Sequence, residues 1–119
     1  MARAKTAIEL QEYTSKIISF ITKKVNVEKV ILFGSYAKGS AHEWSDIDLA
    51  VISPDFKSKS TTVNSLRLIS DIKLHEENLQ LVCFSSQVFN NEDDWVDPGF
   101  IREIKNTGKV LYSQASTMI

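Results

Sequence analysis

The sequence predicts an α/β (α+β) fold, a mixed sheet of about four strands with helices packed mainly on one face. Three observations predict it. Helix-period and strand-like segments interleave along the chain, in the order α-β-turn-β-α-β-α-β. Apolar residues make up 43% and charged residues 24%, an ordinary globular composition. The 119 residues fit one domain, 1–119, large enough to bury one real core.

Taken in order, residues 6–24 read as the first helix. Ile8, Leu10, Tyr13, Ile17, Phe20, Ile21 and Lys24 recur at three- and four-residue steps, apolar until the last. Thr6 is its N-cap, and Glu9 completes a capping box. "EKVILFG", 28–34, is a strand that stops at glycine, and "SYAKGSA" turns from it into a short helix. "DIDLAVIS", 46–53, alternates: Ile47, Leu49 and Val51 point one way, Asp46, Asp48 and Ala50 the other. "PDFKSKSTT" is a polar loop, with Ser58 to Thr62 read as loop only. A second helix is expected from about Thr62 to Glu76, with Val63, Leu66, Ile69, Ile72 and Lys73 along one side. "NLQLVCFSS", 78–86, is a third strand, and "NNEDDWVDPG" is a loop. "FIREIKN" makes a short helix that Thr107-Gly108 stops, and "KVLYS" is the last strand.

Several function classes lose support. A formal net charge of −1 and the lack of a basic stripe leave no field for nucleic acid, so direct nucleic-acid binding is not expected. Cys83 is the only cysteine, which excludes an internal disulfide and a Cys-rich zinc site; within "LQLVCFSS" it reads as a small buried hydrophobe. His42 and His75 lie far apart without metal-ligand spacing, and His42 reads as an exposed loop residue. Ser35 is not in a GxSxG elbow. No apolar run approaches the roughly 20 residues that span a bilayer, and the N-terminus lacks the apolar core of a signal peptide. No membrane association and a cytoplasmic location are therefore the expectation. Trp44 and Trp95 fall in loops; packing over a core edge is favoured for both over base stacking. The four acids of "NEDDWVD", 91–97, read as a solvated loop or a contact for a basic partner.

The chemistry concentrates in "VILFGSYAKGSAHEWSDIDLAVIS", residues 30–53. Asp46 and Asp48 share one face of a strand, about 7 Å apart at their Cα atoms. Two such carboxylates repel one another unless they face water or a cation lies between them. Hard cations such as Mg²⁺ favour carboxylate oxygens and keep phosphates and waters as further ligands. Paired carboxylates can bridge two such ions for in-line phosphoryl or nucleotidyl transfer. Gly34-Ser35 ends the preceding strand in a turn whose N–H groups can meet a phosphate; Ser35 adds a hydroxyl and Lys38 a positive charge. Alone, that turn is a plain strand-helix connection. The segment nearly matches a P-loop, but the lysine stands before the second glycine rather than after it, and that reading is rejected.

Gly-Ser, ten residues, then Asp-Ile-Asp opening an apolar strand is far more specific than either half. "GSYAKGSAHEWSDIDLAV" resembles the GSx10DxD signature of the DNA polymerase β-like nucleotidyltransferase superfamily. Size and element order resemble its smallest branch, the minimal nucleotidyltransferases (MNT), over nearly the whole chain. The resemblance implies that Gly34 and Ser35 hold a nucleotide's phosphates, that Lys38 and Ser45 assist them, and that Asp46 and Asp48 are catalytic and bind Mg²⁺. Ser45 has the simpler job of capping its turn through the hydroxyl. The resemblance further implies transfer of a nucleoside monophosphate, AMP from ATP, onto a hydroxyl. The chain is too short for an elaborate acceptor pocket, so a partner or a homo-oligomer is expected to complete the site. The family's usual partner is a HEPN-domain toxin, with the transferase as antitoxin.

One position departs from the pattern. The family's third carboxylate stands on the next core strand, and here that strand, "NLQLVCF", offers Gln80. Glu76 and Glu77 lie just upstream. A two-ion Mg²⁺ site is then incomplete: the nucleotide-bound ion keeps its ligands and the acceptor-activating ion loses one. The alternative function is accordingly a nucleotide-binding or toxin-neutralising module with weakened catalysis.

Overall fold

A computed structural model describes residues 4–69 and 78–114. Helix α1, Ala7–Lys24, begins at Thr6 with the expected capping box: the Glu9 N–H donates to Thr6 Oγ1 and the Thr6 N–H to Glu9 Oε1. Two N-terminal donors are thereby satisfied, and Lys23 and Lys24 sit in the last turn, where the helix dipole favours cations. Its buried positions are Thr14, Ile17 and Ile21; the Thr14 hydroxyl donates back to the Leu10 carbonyl, so its burial leaves no polar group unpaired.

Strand β1, Lys29–Phe33, is followed by the short helix α2, Ser35–Lys38, then β2, Ile47–Ser53. Helix α3 is Thr61–Ile69 and leads to β3, Leu79–Ser85. A short helix α4, Ser86–Asn90, and a 3-10 turn, Glu92–Asp94, precede α5, Pro98–Thr107, and β4, Lys109–Ser113. The strands form one mixed sheet in the order β3-β2-β1-β4. β1 runs antiparallel to both neighbours, while β2 and β3 are parallel, which requires a crossover connection.

Among the described residues helices cover both faces of the sheet. On one face α1, α2 and α3 cover Val30, Leu32, Ile47, Leu49, Val51 and Cys83. α4 and α5 cover Ile31, Ala50, Ile52 and Phe84 on the other. β2 is central and covered on both faces, which is why its alternation gives way to an unbroken buried run from Leu49 to Ser53.

The second helix differs from its expectation in orientation. Val63 and Leu66, on the apolar side that the period marks out, are 54% and 59% exposed, and among the described residues the buried ones are Asn64, Ser65 and Leu68. The reason is the edge of β3. Asn64 Nδ2 donates to the Cys83 carbonyl at 3.0 Å and to the Ser58 carbonyl at 2.8 Å, and Asn64 Oδ1 accepts from the Ser58 N–H. A helix lying along a sheet edge must offer donors to strand carbonyls, so a polar face turns inward. The expected continuation over residues 70–76 lies outside the described residues, as do His75, Glu76 and Glu77. At the opposite edge, β4 carries an irregularity: Val30 pairs Tyr112 and Ile31 pairs Val110, leaving Leu111 bulged.

The predicted loop 90–99 contains structure that its composition hides. α5 starts at Pro98, with Asp97 as N-cap accepting from the Phe100 N–H, an arrangement that suits proline at the first position. Arg102 and Lys105 of α5 hold the 3-10 turn through Glu92 and Asp93, so these acids face basic residues of the same chain. Gly108 ends α5 for lack of space: a Cβ there would stand 2.5 Å from both the Ile104 carbonyl and Ile31 Cγ2. Cys83 is fully buried, and burial pushes its thiol up to about 12, so it is an inert packing residue.

Candidate active site

β1 delivers the glycine bend to the site. Gly34 has φ 74° and ψ −155°, a conformation that side-chain-bearing residues rarely adopt. Its carbonyl accepts from the Ala37 and Lys38 N–H groups, opening α2. Gly39, the second glycine of the near P-loop, is the left-handed C-cap of the same helix, which explains its position without any phosphate.

β2 delivers the acids. Phe33 pairs with Asp48 across the antiparallel ladder, so the residue after Phe33 stands beside the Asp48 carboxylate. A Cβ added to Gly34 would overlap Asp48 Oδ2. The glycine is therefore required twice, by its φ and by the carboxylate in its side-chain space. Asp46 is exposed and Asp48 half-buried. Desolvation, then the neighbouring charge of Asp46, raise Asp48 from 3.8 to about 6. A carboxylate so placed gains from a cation that cancels the repulsion.

Ser45 is buried, and its hydroxyl accepts the His42 N–H at 2.8 Å while its own N–H donates to the His42 carbonyl. That closes the turn ahead of Asp46, the simpler of its two expected jobs. His42 is exposed, and its Nδ1 accepts from the Trp44 N–H. Lys38 Nζ stands 2.9 Å from Glu103 Oε1 of α5 in an exposed ion pair. The turn's one lysine is thus shared with α5.

β3 supplies the third position. Asp48 and Gln80 are partners in the parallel register, so Gln80 stands where a strand neighbour of Asp48 must stand. Among the described residues no three carboxylate, imidazole or thiol groups converge as a metal cluster. Asp46 and Asp48 offer the carboxylate oxygens that a hard cation favours, so the pair suits one such ion with further ligands from outside the chain.

A cleft of about 390 Å³ opens beside Asp48 and Gln80. Phe33 and Phe100, packed edge to face at 5.6 Å, form part of its wall, and Thr61, Thr62 and Ser65 of α3 form another. The polar run 58–62 is more than loop: Ser60 Oγ accepts from the Val63 N–H, and Thr61 and Thr62 begin the helix. Trp95 fixes this wall from behind. Its ring packs against Phe84 and Phe100, and its Nε1 donates to the Lys59 carbonyl at 2.8 Å. Trp95 therefore packs over a core edge as favoured, whereas Trp44 is 72% exposed.

A family model described as "Polymerase beta, Nucleotidyltransferase" matches residues 15–117, a span that includes the bend, both acids and Gln80. The chain belongs to the polymerase β nucleotidyltransferase family. It is 32% identical over 87 residues to a Methanocaldococcus jannaschii protein described as "Putative protein adenylyltransferase MJ0604", covering 72% of this chain and 79% of that one. Its fold is similar to a solved structure described as "a putative nucleotidyltransferase from Sulfolobus solfataricus", with a TM-score of 0.59 at 18% identity over 100% of this chain and 97% of the other. It is similar too to a structure of a "tri-AMPylated Shewanella oneidensis HEPN toxin in complex with MNT antitoxin", with a TM-score of 0.53 at 20% identity over 89% and 75% of the two chains. At those identities the two structures speak for the fold. The family expectation for this nucleotidyltransferase stands, with its mixed four-stranded sheet. Among the described residues no helix is long and apolar enough to cross a membrane.

Proposed function

We infer that this nucleotidyltransferase moves AMP from ATP to a hydroxyl on a partner protein of the HEPN type, as an antitoxin. The observation that carries the reading is the apposition of the Gly34 bend and the Asp48 carboxylate. Phosphates at the bend would lie directly beside the acid pair. Gly34 lets the backbone approach, Ser35 offers N–H and hydroxyl donors, and Lys38 can exchange Glu103 for a phosphate. Ser45 serves by closing the turn that presents Asp46.

The acceptor oxygen attacks the α-phosphorus and forms a new O–P bond. The bond from that phosphorus to the oxygen bridging to the β-phosphate breaks. Pyrophosphate leaves and the hydroxyl proton passes to water. When bound, Mg²⁺ would neutralise phosphate charge and polarise the reacting oxygens; Asp46 and Asp48 would hold it. The named relatives support this substrate class: one is described as a "Putative protein adenylyltransferase", and one neighbour is an MNT antitoxin in complex with a tri-AMPylated HEPN toxin.

The in-register pairing of Gln80 with Asp48 favours a second reading, a binding module with weakened transfer. The amide offers an oxygen without charge, so a second ion loses affinity while nucleotide binding is kept. Incubation with α-labelled ATP, Mg²⁺ and a HEPN-domain protein separates the two. Label on the partner supports transfer. A stable complex without label, and label restored by Gln80→Asp, supports the module. Label on neither protein in both variants, with no complex, refutes both readings.

A further inference from the structure

The strand order gives Asp48 two sides. The Gly34 bend lies on the β1 side, and Gln80 lies on the β3 side with the cleft beyond it. Transfer at phosphorus is in line, so acceptor and leaving group approach from opposite directions. If pyrophosphate departs along the bend, the acceptor must arrive from the β3 side. That is where the cleft opens, walled by two phenylalanines and by the Thr61, Thr62 and Ser65 side of α3.

The rim of this cleft carries its own information. Thr62 lines the cleft, and Leu66 lies one helical turn further on the same stripe, with Val63 beside it. Val63 and Leu66 are exposed to 54% and 59%, so an apolar strip begins at the cleft's own wall, and the described residues that line the cleft include no cation. A nucleic-acid acceptor calls for cations along its path, and a small free acceptor needs no platform outside the pocket. A protein surface with an apolar patch next to a protruding hydroxyl side chain fits both features.

We propose that the cleft between α3 and α5 is the acceptor subsite, and that Thr62, Val63 and Leu66 of α3 form the ledge on which the acceptor protein docks while its hydroxyl side chain reaches Asp48. This rests on the transferase reading above and adds to it the entry side, the positioning residues and the docking surface.

The test uses the full chain labelled with ¹⁵N. ATP with Mg²⁺ and N-acetyltyrosinamide, a minimal protein-like hydroxyl, are titrated separately and amide shifts followed. The tyrosine probe is expected to move Thr61, Thr62, Ser65 and Gln80, and ATP to move Gly34 and Ser35. Thr62→Trp, an exposed position whose larger ring fills the cleft, is expected to weaken the tyrosine probe at least tenfold, with unchanged α1 amides, away from the cleft, reporting an intact fold. Two results overturn the proposal: a tyrosine probe that leaves α3 unmoved, or ATP that itself moves the α3 set and displaces the probe, which makes the cleft a nucleoside pocket. Absence of any ATP shift at Gly34 and Ser35 counts instead against the transferase reading. For the ledge, Val63→Glu and Leu66→Glu are expected to weaken a complex with the HEPN-domain protein at least tenfold while the tyrosine probe still binds. A complex indifferent to both charges removes α3 as the docking surface, and failure of any complex to form counts against the HEPN reading.

Discussion

On the β1 side of Asp48 stands the Gly34 bend, proposed above to hold phosphates. Gly34 adopts a backbone that suits only glycine, and its missing side chain is the space the carboxylate occupies. On the β3 side the neighbour in register is Gln80, an amide where a third acid would stand, next to an open cleft with hydroxyl and aromatic walls. The contrast teaches that the two sides of one carboxylate can be held differently, the bend by tight sterics and the cleft side by an open surface. The bend is fixed by sterics that admit one residue type, whereas Gln80 is exposed.

The largest expected effect tests the element common to both sides. Asp48→Asn removes the charge between bend and amide, and transfer should fall about 10²–10³-fold, as for loss of one transition-state electrostatic contact. The same substitution should raise metal-free stability at neutral pH. Asp48 is held at about 6 against an ordinary 3.8, so the fold disfavours its charged form. Its destabilising contribution is absent below about pH 4, grows as pH rises toward about 6, and is complete above that. Thermal melts of wild type and variant across that window check the sign. Mg²⁺ competes with the proton, so metal-dependent nucleotide affinity should decline as pH falls below about 6, approaching tenfold per unit.

Next comes the bend alone. Gly34→Ala forces a side chain into positive φ, at about 1–3 kcal/mol, and pushes Asp48 Oδ2 aside. ATP affinity by calorimetry and the melting temperature should both fall. An unchanged ATP affinity would separate the bend from the nucleotide and dissolve the comparison. Gln80→Asp should sharpen it in the other direction. Restoring the acid is expected to raise transfer to the partner about tenfold or more, equivalent to about 1.4 kcal/mol off the barrier, with little change in ATP affinity. Smallest is the strut behind the cleft: Trp95→Phe loses the bond to the Lys59 carbonyl, at about 1 kcal/mol. It should loosen the acceptor side in hydrogen exchange at residues 59–65 and leave the bend unaltered.

The sequence made the bend side of Asp48 legible and the cleft side much less so, for physical reasons. The Gly-Ser turn, the acid pair and the α1 capping box are local, with spacing fixed by backbone geometry, and the structure has them where the residues imply. Gln80 was locatable because a strand neighbour follows from element order. The cleft was not, since it is assembled from β1, β2, α3, β3 and α5 together. Period alone misled at α3, where Val63 and Leu66 suggest an inward stripe. A helix along a strand edge answers to the strand's carbonyls, and Asn64 takes the inward place. α4 was hidden because "SSQVFN" continues a strand by composition; its start depends on Ser85 Oγ accepting the Val88 N–H.

The unequal setting of the two tryptophans gives the molecule an internal optical reporter. The indole of Trp44 stands in water and should emit at long wavelength, readily quenched by iodide. Trp95, packed against phenylalanines behind the cleft, should emit further to the blue and resist the same quencher. Occupation of the cleft therefore ought to be readable in the blue component alone, without any dye attached to the protein.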